Sequence, residues 1–226
     1  MKTNVFLAIF LLFSLPIFAQ IEIGLGIGTT NYKGDLSSEY HILNSQPAVQ
    51  LLFKYNLTYE ITLRSELLLA QISADDQNSS DPFQKQRNFK FSANMVEFSA
   101  GFEYNFFNFR KHTRHFEKWS PYLFAELGIF YANSSNNQSD LLSNSLQMAI
   151  PYGVGVKRYL SRNWNLNFEF GNRQTFTDKL EGIPYNNSQA SKFQKTNEEN
   201  SDQYYYFGIS LTYLFNHVKC PDLYIW

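Results

Sequence analysis

The sequence is short of several things. Among 226 residues there is one cysteine, seven prolines and 17% charged residues. A lone cysteine excludes a framework of internal disulfides. The charged fraction is below the usual quarter for a soluble domain. Net charge is −1, which excludes the basic footprint of a nucleic-acid binder and a polybasic membrane patch. Past the N-terminus no stretch approaches the ~18 consecutive apolar residues of a membrane helix, and mean hydropathy is −0.34. A bundle of transmembrane helices is therefore excluded. The chain is rich in aromatics, with 22 Phe, 15 Tyr and 3 Trp. Disordered chains are poor in them.

The first 19 residues read as an export signal. Lys2 supplies positive charge, residues 5–13 are an unbroken apolar run, and Pro16 precedes Ile17-Phe18-Ala19. This layout predicts cleavage after Ala19. The alternative, a single anchoring helix, is too short and is interrupted by Pro16. No cysteine follows the apolar run, so lipoprotein processing is excluded. The expected organisation is a signal peptide at 1–19, one domain at 20–215 and a short tail at 216–226.

The domain alternates apolar and polar residues with period two in eight segments. They are 21–32, 49–56, 59–73, 89–106, 121–132, 148–160, 164–177 and 204–215. In the first, Ile21, Ile23, Leu25 and Ile27 oppose Glu22, Gly24, Gly26 and Gly28. In the seventh, Trp164, Leu166, Phe168 and Phe170 oppose Asn165, Asn167, Glu169 and Gly171. Connections 56–58 and 161–163 are tight, whereas 33–46, 74–88, 133–147 and 178–203 are long and polar. Connection 107–120 takes a short-turn position but is long and basic, with Arg110, Lys111, Arg114 and Lys118. Eight strands with short turns at one end and long loops at the other predict an all-β fold, an eight-stranded antiparallel transmembrane up-and-down β-barrel. The location predicted is the cell outer membrane, with both termini and the tail in the periplasm. Pro47, Pro121 and Pro151 are expected at or near strand ends, where a missing N–H matters least.

A soluble lipocalin-like barrel has the same strand count with its apolar face inward. Two patterns favour the membrane form. Nine glycines (24, 26, 28, 101, 128, 153, 155, 171 and 208) share the face that carries the charges, where a narrow lumen needs room for long side chains. Aromatics also gather at strand ends, at Tyr55, Tyr59, Tyr104, Phe106, Trp119, Tyr159, Trp164, Tyr213 and Phe215 on the turn side. On the loop side they are Tyr131, Phe176 and Tyr205. Those are the girdles of an outer-membrane barrel. The inward face is expected to hold Glu22, Glu60, Glu66, Glu97, Glu103, Glu126 and Glu169 against Lys54, Arg64, Lys157 and Arg173. This reads as a salt-bridged plug, since buried charges need partners; a proton relay is the alternative.

Catalytic chemistry has little support. His41 lies near Asp35, Ser37 and Ser38 in the first long loop, a place where a lipid-modifying enzyme could keep a Ser–His–Asp set. A solvated loop histidine is the simpler reading. His112 and His115 are a single pair and no metal site; His217 is the fourth histidine. Gly24–Gly28 alternate within a strand and open no helix, so they are not a phosphate loop. No cofactor is expected. Cys220, in the tail, is an unpaired cysteine in an exported chain, which suggests an intermolecular disulfide or an incidental thiol. The apolar ending Leu223-Tyr224-Ile225-Trp226 favours a partner.

A resemblance runs through about 190 residues. Glu22-Ile23-Gly24, Asn31-Tyr32-Lys33-Gly34-Asp35-Leu36, Glu97-Phe98, Phe102-Glu103-Tyr104-Asn105 and Pro121-Tyr122-Leu123-Phe124 come first. Ile150-Pro151-Tyr152-Gly153-Val154-Gly155-Val156-Lys157, Glu169-Phe170-Gly171 with Arg173, Thr175, Thr177 and Asp178, the 205–211 strand and Cys220 follow in order. Together these resemble the PorG-like outer-membrane β-barrel family of the type IX secretion system, with departures at 179–183 and 195–203 that suit a divergent paralogue. The resemblance implies a non-enzymatic anchor or scaffold for a periplasmic ring built of a PorK-like lipoprotein and a PorN-like protein. It carries over Cys220 and its tail as a partner contact; the basic turn 110–118 is a second candidate by position. A surface-binding, adhesin-type small barrel acting through 74–88 and 178–203 is a further alternative.

Overall fold

The computed structural model describes residues 20–33, 45–75, 90–107, 118–136, 143–161, 163–176 and 203–215; at 20, 33, 74, 75, 90, 91, 134–136 and 143–145 only the backbone is described. The expected signal peptide, the tail and most of the long connections lie outside these residues.

Eight strands form: β1 (Gln20–Lys33), β2 (Gln46–Asn56), β3 (Ile61–Asp75), β4 (Lys90–Asn105), β5 (Trp119–Asn136), β6 (Ser143–Tyr159), β7 (Trp164–Thr175) and β8 (Gln203–Leu214). Each pairs antiparallel with the next, and β1 pairs with β8, so the sheet closes with no free edge. The β2–β3 and β6–β7 turns form where the sequence placed them, the first of them longer, over residues 57–60. At the β2–β3 turn the N–H groups of Leu57 and Thr58 both donate to the Ile61 carbonyl, at 3.0 and 3.1 Å. The Thr58 hydroxyl accepts from the N–H groups of Glu60 and Ile61, a local bond typical of Thr in turns. At the β6–β7 turn Asn163 donates its side-chain amide to the Leu214 carbonyl at 2.8 Å, tying the turn to the end of β8.

Three expectations are corrected. Glu60 does not face the lumen; it is exposed in the β2–β3 turn, where its carboxylate accepts from the Thr58 hydroxyl. The turn takes one residue pair more than the tight reading allowed. Second, β5 and β6 run well into the expected 133–147 loop. Pro151 therefore lies in the middle of β6 rather than near its end. The β5–β6 ladder is interrupted there: Ala125 pairs with Tyr152 and Gly128 with Ala149, with no pair between. A proline supplies no N–H to that ladder, while the opposite edge of Pro151 pairs with Arg173 of β7.

The alternation puts apolar side chains outside. Ile23, Leu25, Ile27, Val49, Leu51, Phe53, Leu67, Leu69, Phe98, Leu127, Phe168 and Ile209 are all exposed on the outer wall. A soluble barrel would bury such a band. A membrane barrel presents it to lipid, in a belt ~25 Å tall with aromatic girdles. The turn-side girdle is built of touching rings. Trp164 and Tyr213 meet edge to face at 4.9 Å, Tyr213 and Phe215 at 4.8 Å, and Tyr104 and Phe106 at 5.3 Å. On the loop side Tyr131 and Phe176 are exposed, and Tyr205 stacks on Phe170 at 5.9 Å. The fold is a transmembrane barrel.

Above the belt the pattern inverts. On the loop side the outward residues become Thr29, Gln71, Ser92, Asn94 and Asn133. The inward ones become Tyr32, Ala48, Leu68, Ala70, Ile72, Ala93, Met95, Phe130, Ala132, Ala149, Tyr204 and Tyr206, a single buried apolar cluster. A transmembrane strand needs only ~9–11 residues, and β5 has 18. The surplus is built as a water-soluble barrel would be, polar outside and apolar inside.

Candidate functional site

The chemistry of this chain is concentrated in its lumen. Six carboxylates (Glu22, Glu66, Glu97, Glu103, Glu126, Glu169) and four cations (Lys54, Arg64, Lys157, Arg173) are buried there. All of these come from the inward parity of their strands, as expected.

Arg64 of β3 is the hub. Its guanidinium lies 2.6 Å from Glu66, 2.9 Å from Glu169 and 3.8 Å from Glu103, and its Nε meets Glu126. Nη1 and Nη2 reach the two oxygens of Glu169 at 2.9 and 3.2 Å, the forked geometry that suits arginine. Arg173 of β7 continues the chain upward, to Glu66 at 2.8 Å and Glu97 at 3.5 Å. Below, Glu103 is held by Lys54 at 2.7 Å and by Lys157. Strands β2 to β7 are thus cross-linked through the barrel interior.

Neutral groups fill the rest. Tyr122 donates its hydroxyl to Glu169 at 3.0 Å, and its ring lies between Lys54 and Lys157, 5.2 and 5.3 Å from their ammonium groups. Arg64 sits 4.3 Å over Phe124, and Arg173 4.7 Å over Tyr206. These cation–π contacts add attraction where water is excluded. Tyr204 donates to Glu97, Ser99 to Glu126, and Tyr206 to Gln50 at 3.2 Å. At the turn end Glu22 accepts from Thr212 and from the amides of Asn165 and Asn56, at 3.2 and 3.4 Å.

The nine expected glycines all face this lumen; Gly101 and Gly153 lie tight against the backbone of the neighbouring strand, and Gly155 and Gly208 lie under aromatic rings. A Cβ at Gly155 would run into the Tyr122 ring, and one at Gly208 into the Tyr206 ring. Gly155→Ala is expected to lose about 1–3 kcal/mol of stability by overpacking. Because the two sites touch, Tyr122→Ala should remove most of that penalty when combined with it. Chemical unfolding of the four proteins of this cycle checks the prediction; additive losses would show that the ring does not press on Gly155.

The remaining candidates are not joined to this network. Cys220, His41, His112, His115 and His217 lie outside the described residues, as does the basic turn up to Lys118, which is exposed. Among the described residues no group of three or more His, Cys, Asp or Glu side chains is arranged to hold a metal ion. Sequence reasoning missed the apolar cluster at the loop end. Its signal was the switch of parity within single strands, as at Gln71-Ile72-Ser73 and Asn94-Met95.

With lumen and belt in view, family comparison adds one assignment. The family model of the domain of unknown function DUF6089 matches residues 2–222. The chain belongs to this family. Among solved structures this DUF6089 barrel is similar to Neisserial surface protein A (NspA), at TM-score 0.52 and 13% identity over 88% of this chain and 100% of that one. It is also similar to Ail, the attachment invasion locus protein of Yersinia pestis, in its complex with the heparin analogue sucrose octasulfate. That match has TM-score 0.50 and 12% identity over 88% of this chain and 100% of Ail. At such identities the likeness is one of fold: a small eight-stranded barrel of the outer-membrane type. No curated protein matches the DUF6089 chain at a significant level.

Proposed function

We propose that this protein is a non-enzymatic barrel of the outer membrane that anchors or scaffolds a periplasmic protein-secretion assembly, with both termini in the periplasm after removal of residues 1–19. The filled lumen carries this reading. Ion pairs and rings occupy the interior from Glu22 near the turn end to Tyr204 near the loops, so the wall is a rigid body held in lipid rather than a conduit. The resemblance to PorG-like barrels supplies the finer part: a type IX secretion-like assembly, with a PorK-like lipoprotein and a PorN-like protein as partners, and Cys220 with its tail as the contact.

The test is a pair of gels. Outer membranes carrying the wild-type chain or Cys220→Ala are run with and without reductant. A higher-mass adduct that disappears on reduction and in Cys220→Ala supports the scaffold. Absence of the adduct, together with lipid changes that depend on His41, would replace the scaffold with a lipid-modifying enzyme. The purified barrel in planar bilayers is expected to show no steady conductance; a stable open pore would overturn the plug.

A surface-binding role is favoured by a separate observation, the continuation of β5 and β6 past the lipid belt. Such an extension holds the long connections clear of the membrane. Loss of attachment to a surface or host ligand on deleting 74–88, with the Cys220 adduct absent, would support it over the scaffold.

A further inference from the structure

Charge is unevenly spread around the turn-side rim of the barrel. Arg158, one residue from the end of β6, faces outward and is exposed, and it pairs with Trp119, the first residue of β5. Lys118 is also exposed, and its carbonyl accepts from the Tyr159 N–H at 2.7 Å, which holds it beside the end of β6. Trp164 opens β7 across the β6–β7 turn. Trp119 and Trp164 are 52% and 42% exposed. In sequence, the connections flanking this corner, 107–118 and 160–163, add Arg110, Lys111, Arg114 and Arg162 against a single acid, Glu117. The sector therefore keeps a positive excess whichever cation Glu117 pairs with. The β2–β3 turn, 57–60, has no cation and carries Glu60.

We propose that this corner binds the headgroup of an anionic phospholipid in the leaflet on the turn side, its phosphate between Arg158 and Lys118 with Trp119 packed beside it. The site rests on the membrane-barrel reading above and adds to it a lipid class and a place on the wall. Position selects a lipid over a protein of the aqueous space. Arg158 stands on the wall itself, in one row with Trp119 and the outward Leu166, so its stem runs along the belt and its charged head reaches the interface. Tryptophan rings sit at that same level, where headgroups meet acyl chains. Chemistry selects phosphate. A guanidinium offers phosphate two parallel N–H donors, the ammonium of Lys118 adds a point charge on a flexible stem, and an indole N–H is a donor only. The other cations of the wall are committed elsewhere, since Lys54, Arg64, Lys157 and Arg173 are buried against lumen carboxylates.

The chain has three tryptophans, Trp119, Trp164 and Trp226, and the first serves as the reporter. Full-length Trp164→Phe/Trp226→Phe is folded into phosphatidylcholine vesicles in which either added phosphatidylglycerol or the phosphatidylcholine carries bromine, a quencher of indole, on its acyl chains. Half-maximal quenching of Trp119 is expected at about a fivefold lower mole fraction of phosphatidylglycerol than of phosphatidylcholine for each cation engaged. Arg158→Gln should raise the phosphatidylglycerol fraction about fivefold, and Arg158→Gln/Lys118→Gln should make the two lipids equal. Both positions are exposed, so neither change disturbs the packing of the barrel. A reporter placed by Tyr59→Trp, with the three native tryptophans changed to Phe, lies in the β2–β3 turn and should be quenched equally by both lipids. Equal quenching of Trp119 by the two lipids, or the same preference at position 59, overturns the site and leaves the barrel reading standing. Loss of the preference on adding inorganic phosphate at constant ionic strength would replace the lipid with free phosphate. Equal quenching together with a spectral shift of Trp119 on adding polyglutamate would replace it with an acidic protein. A chain that inserts into none of the vesicles overturns the membrane reading itself.

Discussion

Arg64→Met is expected to lose about 3–5 kcal/mol of folding free energy, the range seen when one partner of a buried ion pair is removed. The size follows from what Arg64 touches. Glu66, Glu103, Glu126 and Glu169 all lie within ion-pair distance of its guanidinium, and each is buried. Methionine keeps much of the volume, so the loss would come from charge rather than from a cavity. Two companions sharpen the test. Arg64→Lys should recover only part of the stability, because an ammonium is a compact charge that cannot serve a fork of carboxylates. Arg64→Met/Glu169→Gln should be more stable than Arg64→Met, because one uncompensated carboxylate is gone. Urea unfolding in vesicles, with the heat-dependent gel mobility of folded barrels as a second readout, measures all three. The loss should change little with added salt, since buried charges are poorly screened. A loss below about 1 kcal/mol, the size of an exposed pair, would mean that the lumen is wet and the plug is not a structural element.

Ile209→Arg should cost about 2–4 kcal/mol, the penalty for arginine at the midplane of a barrel's lipid face. Ile209 is 41% exposed and pairs with Ile27 on one side and Phe168 on the other. All three point outward, midway between the girdle positions Tyr213 and Tyr205 of β8. The same change placed above the belt, Asn94→Arg, should alter stability by no more than about 0.5 kcal/mol, as surface substitutions usually do. Both residues are on the outer wall, so only depth in the membrane separates them. Equal effects at the two positions would remove the lipid belt from the account of this fold.

The lipid-facing half of the fold was legible because the barrel imposes a strict period of two. With Ile23, Leu25 and Ile27 on one parity and Gly24, Gly26 and Gly28 on the other, the two faces are separated cleanly, and the glycines and strand-end aromatics say which of them is outside. Glu66, Glu97, Glu103, Glu126, Glu169, Lys54, Arg64, Lys157 and Arg173 all fall inward by that rule alone. Glu60 broke it because the turn at Thr58 runs to Glu60 and β3 starts only at Ile61, two residues after the alternation begins. Pro151 misled for a related reason. Polar outward residues were read as the end of β5 and β6, whereas above the belt a polar outer wall is what water requires.

The order of residues by itself determined strand count, antiparallel sequence and the division of side chains between two faces, because each of these depends only on local alternation and on turn length; the glycines and the strand-end aromatics marked which face is the lumen. It could not say which carboxylate each cation serves. Arg64 meets Glu66 two residues away and Glu169 more than a hundred away, and only closure of the barrel brings the second into reach. The apolar cluster of Tyr32, Met95, Phe130 and Tyr204 is likewise a property of the closed ring, since it joins four strands at one height. Parity is written in sequence; height along the barrel is set by register, and register is settled only when β8 meets β1.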